Sequence, residues 1–213
     1  MRTALAALFG LVVAIAPAAA QDDQEAAQFA RIQTSMGDID VALEREAAPV
    51  TTENFLEYAT SGYYDRLIFH RVIPDTLIQG GGFSAQFYER ATRDPIVNEA
   101  SNGLRNERGT IAMARYSDPD SATSQFFVNL RDNPDLDRTG DTYDMDAGYT
   151  VFGHVVAGMA VADAIGAVET GPGPAGTGLD AEVPVEPVLI LRIDPIAEDE
   201  VGATQDSAER EDG

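Results

Sequence analysis

Three consecutive glycines, Gly80 to Gly82, constrain the architecture of this chain more than any other feature. The run RLIFHRVI at 66–73 has the apolar, β-branched content of a strand. Pro74 ends its regular pairing, and the glycines then permit a bend that side chains would obstruct. Short strands recur on both sides of this bend. FARIQTSMGDIDVALE reads as two strands joined by a tight turn at Ser35, Met36, Gly37 and Asp38, with Ile32, Ile39, Val41 and Leu43 as the apolar positions. Further strands are expected at 95–98, 109–114 and 124–130, in YTVFGHVV from Tyr149, and in VEPVLILRIDPI. Only two segments have helical spacing. Ala48 to Thr60 has Thr51 or Thr52 as cap and Val50, Phe55, Leu56 and Ala59 along one side, ending near Gly62. Gly158 to Val168 has Met159, Val161, Ala162 and Ile165 on one side. An Asp-rich polar loop at 131–147 and a Gly/Pro linker at 171–178 separate these elements. Many short strands with two isolated helices favour a mainly β, closed antiparallel barrel over an α/β sheet.

Residues with chemical potential gather in FHRVIPDTLIQGGGF at 69–83 and ATSQFFVNL at 122–130. Together they supply Arg71, Gln79, Gln125 and the pair Phe126 and Phe127, a set suited to gripping a prolyl peptide rather than cutting one. Phe126 and Phe127 are adjacent in a strand and point to opposite faces, so only one of them meets a ligand. Strand alternation places His70 on the opposite face from Arg71, and a structural role is expected for it, as for His154.

Both segments resemble the signature of the cyclophilin-type peptidyl-prolyl cis-trans isomerases. So do YYDRLIFHRVI, IVNEASNGLRNERGTIAMAR and YTVFGHVVAGMAVADAI, in the same order, and the resemblance covers roughly residues 29–196. It implies an eight-stranded barrel capped by two α-helices, one at each end, acting as a monomer on proline-containing peptides and on unfolded or partly folded proteins. The reaction itself calls for no cofactor or metal. Rotation about a peptide C–N bond is opposed by ~18–20 kcal/mol of resonance energy, while the two Xaa-Pro isomers differ little in stability. A twisted bond leaves a lone pair on the prolyl nitrogen, which a permanently charged donor binds better than the planar ground state.

By the resemblance, Arg71 is that donor and Gln79, the second catalytic residue, orients the carbonyl. Gln125, Ala114 and Arg115 line the peptide groove. Phe127, Leu136 and Leu77 form the apolar floor under the pyrrolidine ring, with Phe126 in the core. Tyr149 stands at the rim, where the family commonly has a histidine. Thr76 and Asp135 occupy positions where large aromatics usually wall the pocket. That departure leaves a non-catalytic proline-binding or holdase module of the same fold as the alternative, and it points to basic residues before proline, near Asp135.

The first twenty residues combine Arg2, an apolar run from Ala4 to Ile15, Pro17 and the small triplet Ala18 to Ala20, the pattern of a signal peptide cleaved after Ala20. The apolar run is short of the ~20 residues a bilayer needs, and no second span follows. The expected address is therefore the periplasm. There are no cysteines, so neither lipid attachment nor a disulfide is available. All 14 basic residues are arginines, set against 36 acids for a formal charge of −22. That balance argues against nucleic acid or an anionic membrane as partner. Residues 21–28 form a polar lead. The acid-rich, apolar-poor segment 197–213 is expected to be a disordered tail. The loop from Asp135 to Asp146 partly resembles a calcium loop, but it lacks the final bidentate Glu and the flanking helices, so no metal is assigned to it.

Overall fold

A computed structural model describes residues 28–140, 144–175, 177, 179 and 181–203. The proposed signal peptide and most of the polar lead lie outside these residues, as do three positions of the Asp-rich loop. The elements are, in chain order, β1 (Phe29–Thr34), β2 (Gly37–Leu43), α1 (Pro49–Thr60), β3 (Leu67–Ile73), β4 (Leu77–Ser84), β5 (Thr110–Met113), β6 (Phe126–Asn129), β7 (Val151–Ala157), α2 (Met159–Gly166), β8 (Thr170–Gly171), β9 (Val183–Pro184) and β10 (Val188–Ile196). Eight strands close an antiparallel barrel in the order β1-β10-β3-β4-β6-β5-β7-β2, and β8 and β9 form a separate two-stranded sheet. Among the described residues, no helix is long and apolar enough to cross a membrane.

Strand alternation sorts the apolar residues onto two faces. Ile78 of β4, Ile111 and Met113 of β5, and Phe126 and Val128 of β6 enter the main core with Phe55, Tyr64, Phe69 and Phe152. Phe55 packs edge-on against Phe126 at 5.6 Å between ring centres. Each such buried side chain contributes roughly 1.5–3 kcal/mol. Their alternate neighbours Leu77, Ala112, Phe127 and Val151 form a second, smaller cluster on the other face. Both helices add to the main core, α1 through Phe55, Tyr58 and Ala59 and α2 through Ala162 and Ile165.

The start of α1 differs from the expected Thr51 or Thr52 cap. Pro49 occupies the first helical turn, Ala48 is the cap residue, and no side chain of the helix itself caps it. Instead Glu99 reaches in from a distant loop. Its Oε1 accepts from the Val50 N–H at 3.2 Å, and its Oε2 accepts from the Thr51 N–H at 2.8 Å and the Thr51 hydroxyl at 2.6 Å. A carboxylate at this end also meets the positive end of the helix dipole. Glu99→Ala is expected to lower the unfolding free energy by about 1–2 kcal/mol, as read from urea denaturation. Val50, expected on the packed side, is exposed.

Three other expectations need correction. The segment 95–98 is not a strand and makes only a single bridge, Ile96 to Ala122. Asn98 is held there by side-chain chemistry, its amide Nδ2 donating to the Gly148 carbonyl at 3.1 Å. The linker is bordered by β8 and β9, too short to leave a periodic signal. The acidic tail does not lose structure at residue 197. A 3-10 turn spans Glu198–Glu200. It docks on a buried ion pair, Arg31 to Asp40, whose bidentate bonds measure 2.7 and 2.8 Å. Arg31 Nη2 also donates to the Glu200 carbonyl at 2.6 Å, and the Gly202 N–H donates to Asp40 Oδ2 at 2.8 Å. Backbone groups make this attachment, so composition could not reveal it. Residues beyond 203 lie outside the described residues.

Candidate active site

One transverse row of paired residues builds the site. Arg71 on β3 pairs with Gln79 on β4, Gln79 with Phe127 on β6, Phe127 with Ala112 on β5, and Ala112 with Val151 on β7. Neighbouring strands lie about 4.8 Å apart, so a cation, an amide and an apolar floor follow one another across the face within the reach of a short peptide. Phe127 is only 3% exposed and packs with Leu77, Ala112 and Val151, while Ile73, Leu104, Ala114, Leu136 and Tyr149 complete the patch. Tyr149 meets Phe127 edge-on at 5.6 Å.

Beyond Gln79 the surface opens into a cleft of about 90 Å³ lined by Gln79, Ala114, Arg115, Tyr116, Ser121, Thr123 and Gln125. Gln79 Nε2 donates to Gln125 Oε1 at 2.9 Å, which orients both amides. The Gln125 carbonyl in turn accepts from the Ala114 N–H. The glycine bend makes this possible. A Cβ on Gly82 would lie 2.6 Å from Gln125 Nε2, and one on Gly81, whose φ is +87°, would lie 2.9 Å from the Ser124 carbonyl. Gly82 therefore leaves room for a site amide, and Gly81 supplies the left-handed turn of the backbone.

Arg71 is 42% exposed along its side chain, and its Nε donates to Glu182 Oε2 at 2.8 Å. No other hydrogen bond from its guanidinium to protein is present among the described residues. The bond to Glu182 therefore engages Nε and not the two terminal nitrogens.

The family model for cyclophilin-type peptidyl-prolyl cis-trans isomerases matches residues 29–194. The chain belongs to that family. It is 51% identical over 159 residues to peptidyl-prolyl cis-trans isomerase A of Dickeya dadantii, covering 75% of this chain and 80% of that protein. It is 48% identical over 157 residues to isomerase B of Escherichia coli, covering 74% and 93% respectively. A solved cyclophilin-type isomerase from Cryptosporidium parvum, crystallised in the presence of the dipeptide Ala-Pro, superposes with a TM-score of 0.62 at 25% identity, over 80% of this chain and all of that one. With about half of its residues shared over most of the domain, this cyclophilin is an enzyme of the same class, a peptidyl-prolyl isomerase.

The remaining residues expected in the cyclophilin site divide in two. Leu77, Ala114, Gln125, Phe127, Leu136 and Tyr149 come together around the row. Arg115 lines the cleft, but its guanidinium is occupied. It donates to the Gly148 and Tyr116 carbonyls and stacks over the Tyr149 ring at 4.7 Å. Thr76 lies in the β3–β4 turn, and its hydroxyl donates to the Pro74 carbonyl at 3.2 Å. Asp135 is exposed on the short 3-10 turn Pro134–Leu136, and of that turn it is Leu136 that joins the apolar patch. Glu182, Tyr116, Ser121 and Thr123 were not anticipated. They lie outside the two signature motifs or are chemically bland, and only the folded chain brings them to the site.

His70 needs a separate account. A bulge between Phe69 and Arg71 breaks simple alternation in β3, and the His70 ring packs on Phe83 at 4.7 Å between ring centres. It is 2% exposed, and its Nδ1 has no hydrogen-bond partner among the described residues. Burial, with Arg71 as a second cause, lowers its pKa from 6.5 to about 4, so the ring is neutral at working pH. Between those values the unfolded chain holds the extra proton, so this group's contribution is complete above its unfolded pKa and is lost as pH falls toward 4. The stability difference between wild type and His70→Gln should therefore narrow by about 2 kcal/mol from about pH 7 to about pH 5, measured by urea denaturation.

Proposed function

We propose that this cyclophilin rotates Xaa-Pro bonds of exported proteins as they fold in the periplasm, to which the N-terminal leader directs it. The row Arg71, Gln79, Phe127, Ala112 and Val151 carries the reading. The pyrrolidine ring sits on Phe127, Leu77 and Leu136, excluded from water. Gln79 and Gln125, locked to each other, hold the peptide backbone on either side of the proline. The terminal nitrogens of Arg71 donate to the prolyl nitrogen as it becomes pyramidal, an interaction made only in the twisted state, and so one that accelerates rotation. Proline-containing peptides are the proposed ligands, consistent with the Ala-Pro dipeptide present with the Cryptosporidium relative.

Unassisted Xaa-Pro isomerisation takes ~10–100 s, slow enough to limit the folding of an exported chain. The biochemical part of the reading is tested by a protease-coupled isomerisation assay on residues 21–213, with the Arg71→Ala variant alongside. The cellular part is tested by fractionation and N-terminal sequencing of the full chain expressed in a Gram-negative host. A cytoplasmic product retaining residues 1–20 would overturn the export assignment. Failure to accelerate a folding reaction limited by proline isomerisation would overturn the folding role.

A further inference from the structure

We infer that Glu182 is a positioning residue that presents Arg71 to the substrate; this rests on the catalytic assignment of Arg71 above. Glu182 lies more than a hundred residues from Arg71 in the chain, just before β9, yet it is tied to β3 twice. Its carbonyl accepts from the Val72 N–H at 2.7 Å, and its carboxylate accepts from Arg71 Nε at 2.8 Å. The anion is thus anchored to the same stretch of strand that carries the cation. It grips the guanidinium from behind, through the one nitrogen a substrate does not need. A guanidinium is a rigid planar fork, so fixing Nε fixes the direction of both terminal nitrogens.

The backbone at Glu182 supports this assignment independently. Its φ is +64°, a left-handed conformation that L residues rarely adopt, and only three other non-glycine residues share the feature among those described. Glycine would meet the requirement of such a turn without strain, so a long acid at this point indicates that its side chain has a task. Buried Val183 and the β8–β9 pairing hold the turn in place. The carboxylate itself is 38% exposed, so the ion pair adds little to the stability of the fold. Its effect lies in restraining a half-exposed arginine that would otherwise sample many rotamers, and misplacement of a reacting group is costly in rate.

Exchange NMR on a proline peptide, which separates kcat from KM, tests the inference with Glu182→Ala, Glu182→Gln, Glu182→Gly, Arg71→Ala and the Arg71→Ala/Glu182→Ala double variant. Glu182→Ala should lower kcat/KM about three- to tenfold, mostly through kcat. Glu182→Gln, whose amide oxygen still accepts from Nε, should recover part of the loss. Glu182→Gly should lose activity as the alanine variant does while its unfolding midpoint stays unchanged or rises, a separation that a structural role would not produce. The double variant should be no slower than Arg71→Ala alone. Wild-type turnover in Glu182→Ala beside an impaired Arg71→Ala overturns the inference alone, as does an equal further loss in the double variant. Wild-type turnover in Arg71→Ala overturns the catalytic assignment, and the inference with it.

Discussion

Arg71→Ala is expected to lower kcat/KM roughly ten- to a hundredfold and to leave stability within about 1 kcal/mol of wild type. The rate loss follows from a charge-assisted hydrogen bond of ~1.5–3 kcal/mol that exists only while the prolyl nitrogen is pyramidal, at ~1.4 kcal/mol per tenfold in rate. The small structural effect follows from the surroundings of the side chain. It is 42% exposed, and the one ion pair it makes among the described residues is to a carboxylate that is itself 38% exposed. Arg71→Lys is an informative companion, since an ammonium carries its donors on one nitrogen and cannot hold Glu182 through one atom while presenting others from a rigid planar fork. It should fall nearer to alanine than to wild type. A protease-coupled assay on an Ala-Pro peptide measures both variants, and wild-type turnover in the alanine variant would remove Arg71 from the mechanism.

Asp40→Ala is expected to cause the largest loss of stability, about 3–5 kcal/mol, with the thermal midpoint falling by roughly 10 °C or more. Asp40 is 1% exposed and Arg31 is 7% exposed, so removing the carboxylate leaves a buried cation without its bidentate partner. The N–H of Gly202 loses its acceptor in the same step, and the turn at Glu198–Glu200 loses the ion pair on which it docks. Removing both charges should be milder than removing one, because a pair of apolar residues leaves no uncompensated ion. Arg31→Met/Asp40→Leu should therefore recover much of the loss in a calorimetric scan. A midpoint for Asp40→Ala within a few degrees of wild type would show that the pair contributes little.

Much of the barrel was legible in the sequence because two periodicities announce it. Alternation in residues 29–43 located the first hairpin, with Ile32 opposite Ile39. Helical spacing located α1 and α2 to within one or two residues at their ends. Proline and glycine marked the ends of β3 and the bend in β4. What failed was chemistry that acts between distant segments. The N-terminus of α1 is satisfied by Glu99, some fifty residues away, so a search for a local cap could not find it. The bulge in β3 upset the alternation used to separate His70 from Arg71, since one extra residue shifts every side chain that follows. The seven acids of the last seventeen residues read as disorder, although the first few of that segment are held through their backbone.

For the site itself, the types of residue were fixed in advance by the two signature segments. Those segments supply Arg71 as the cation, Gln79 and Gln125 as amides and the adjacent pair Phe126 and Phe127; alternation allowed only one of that pair to meet a ligand, and the family resemblance selected Phe127. Tertiary structure decided which of these groups are free to act. It turned Arg115 onto Tyr149 and two carbonyls, folded Thr76 back on its own turn, and set Glu182 behind Arg71 from the far end of the chain. Periodicity reports the face on which a side chain emerges, because that is set by local backbone geometry. Whether its hydrogen-bonding groups are already occupied depends on partners brought near only when the barrel closes.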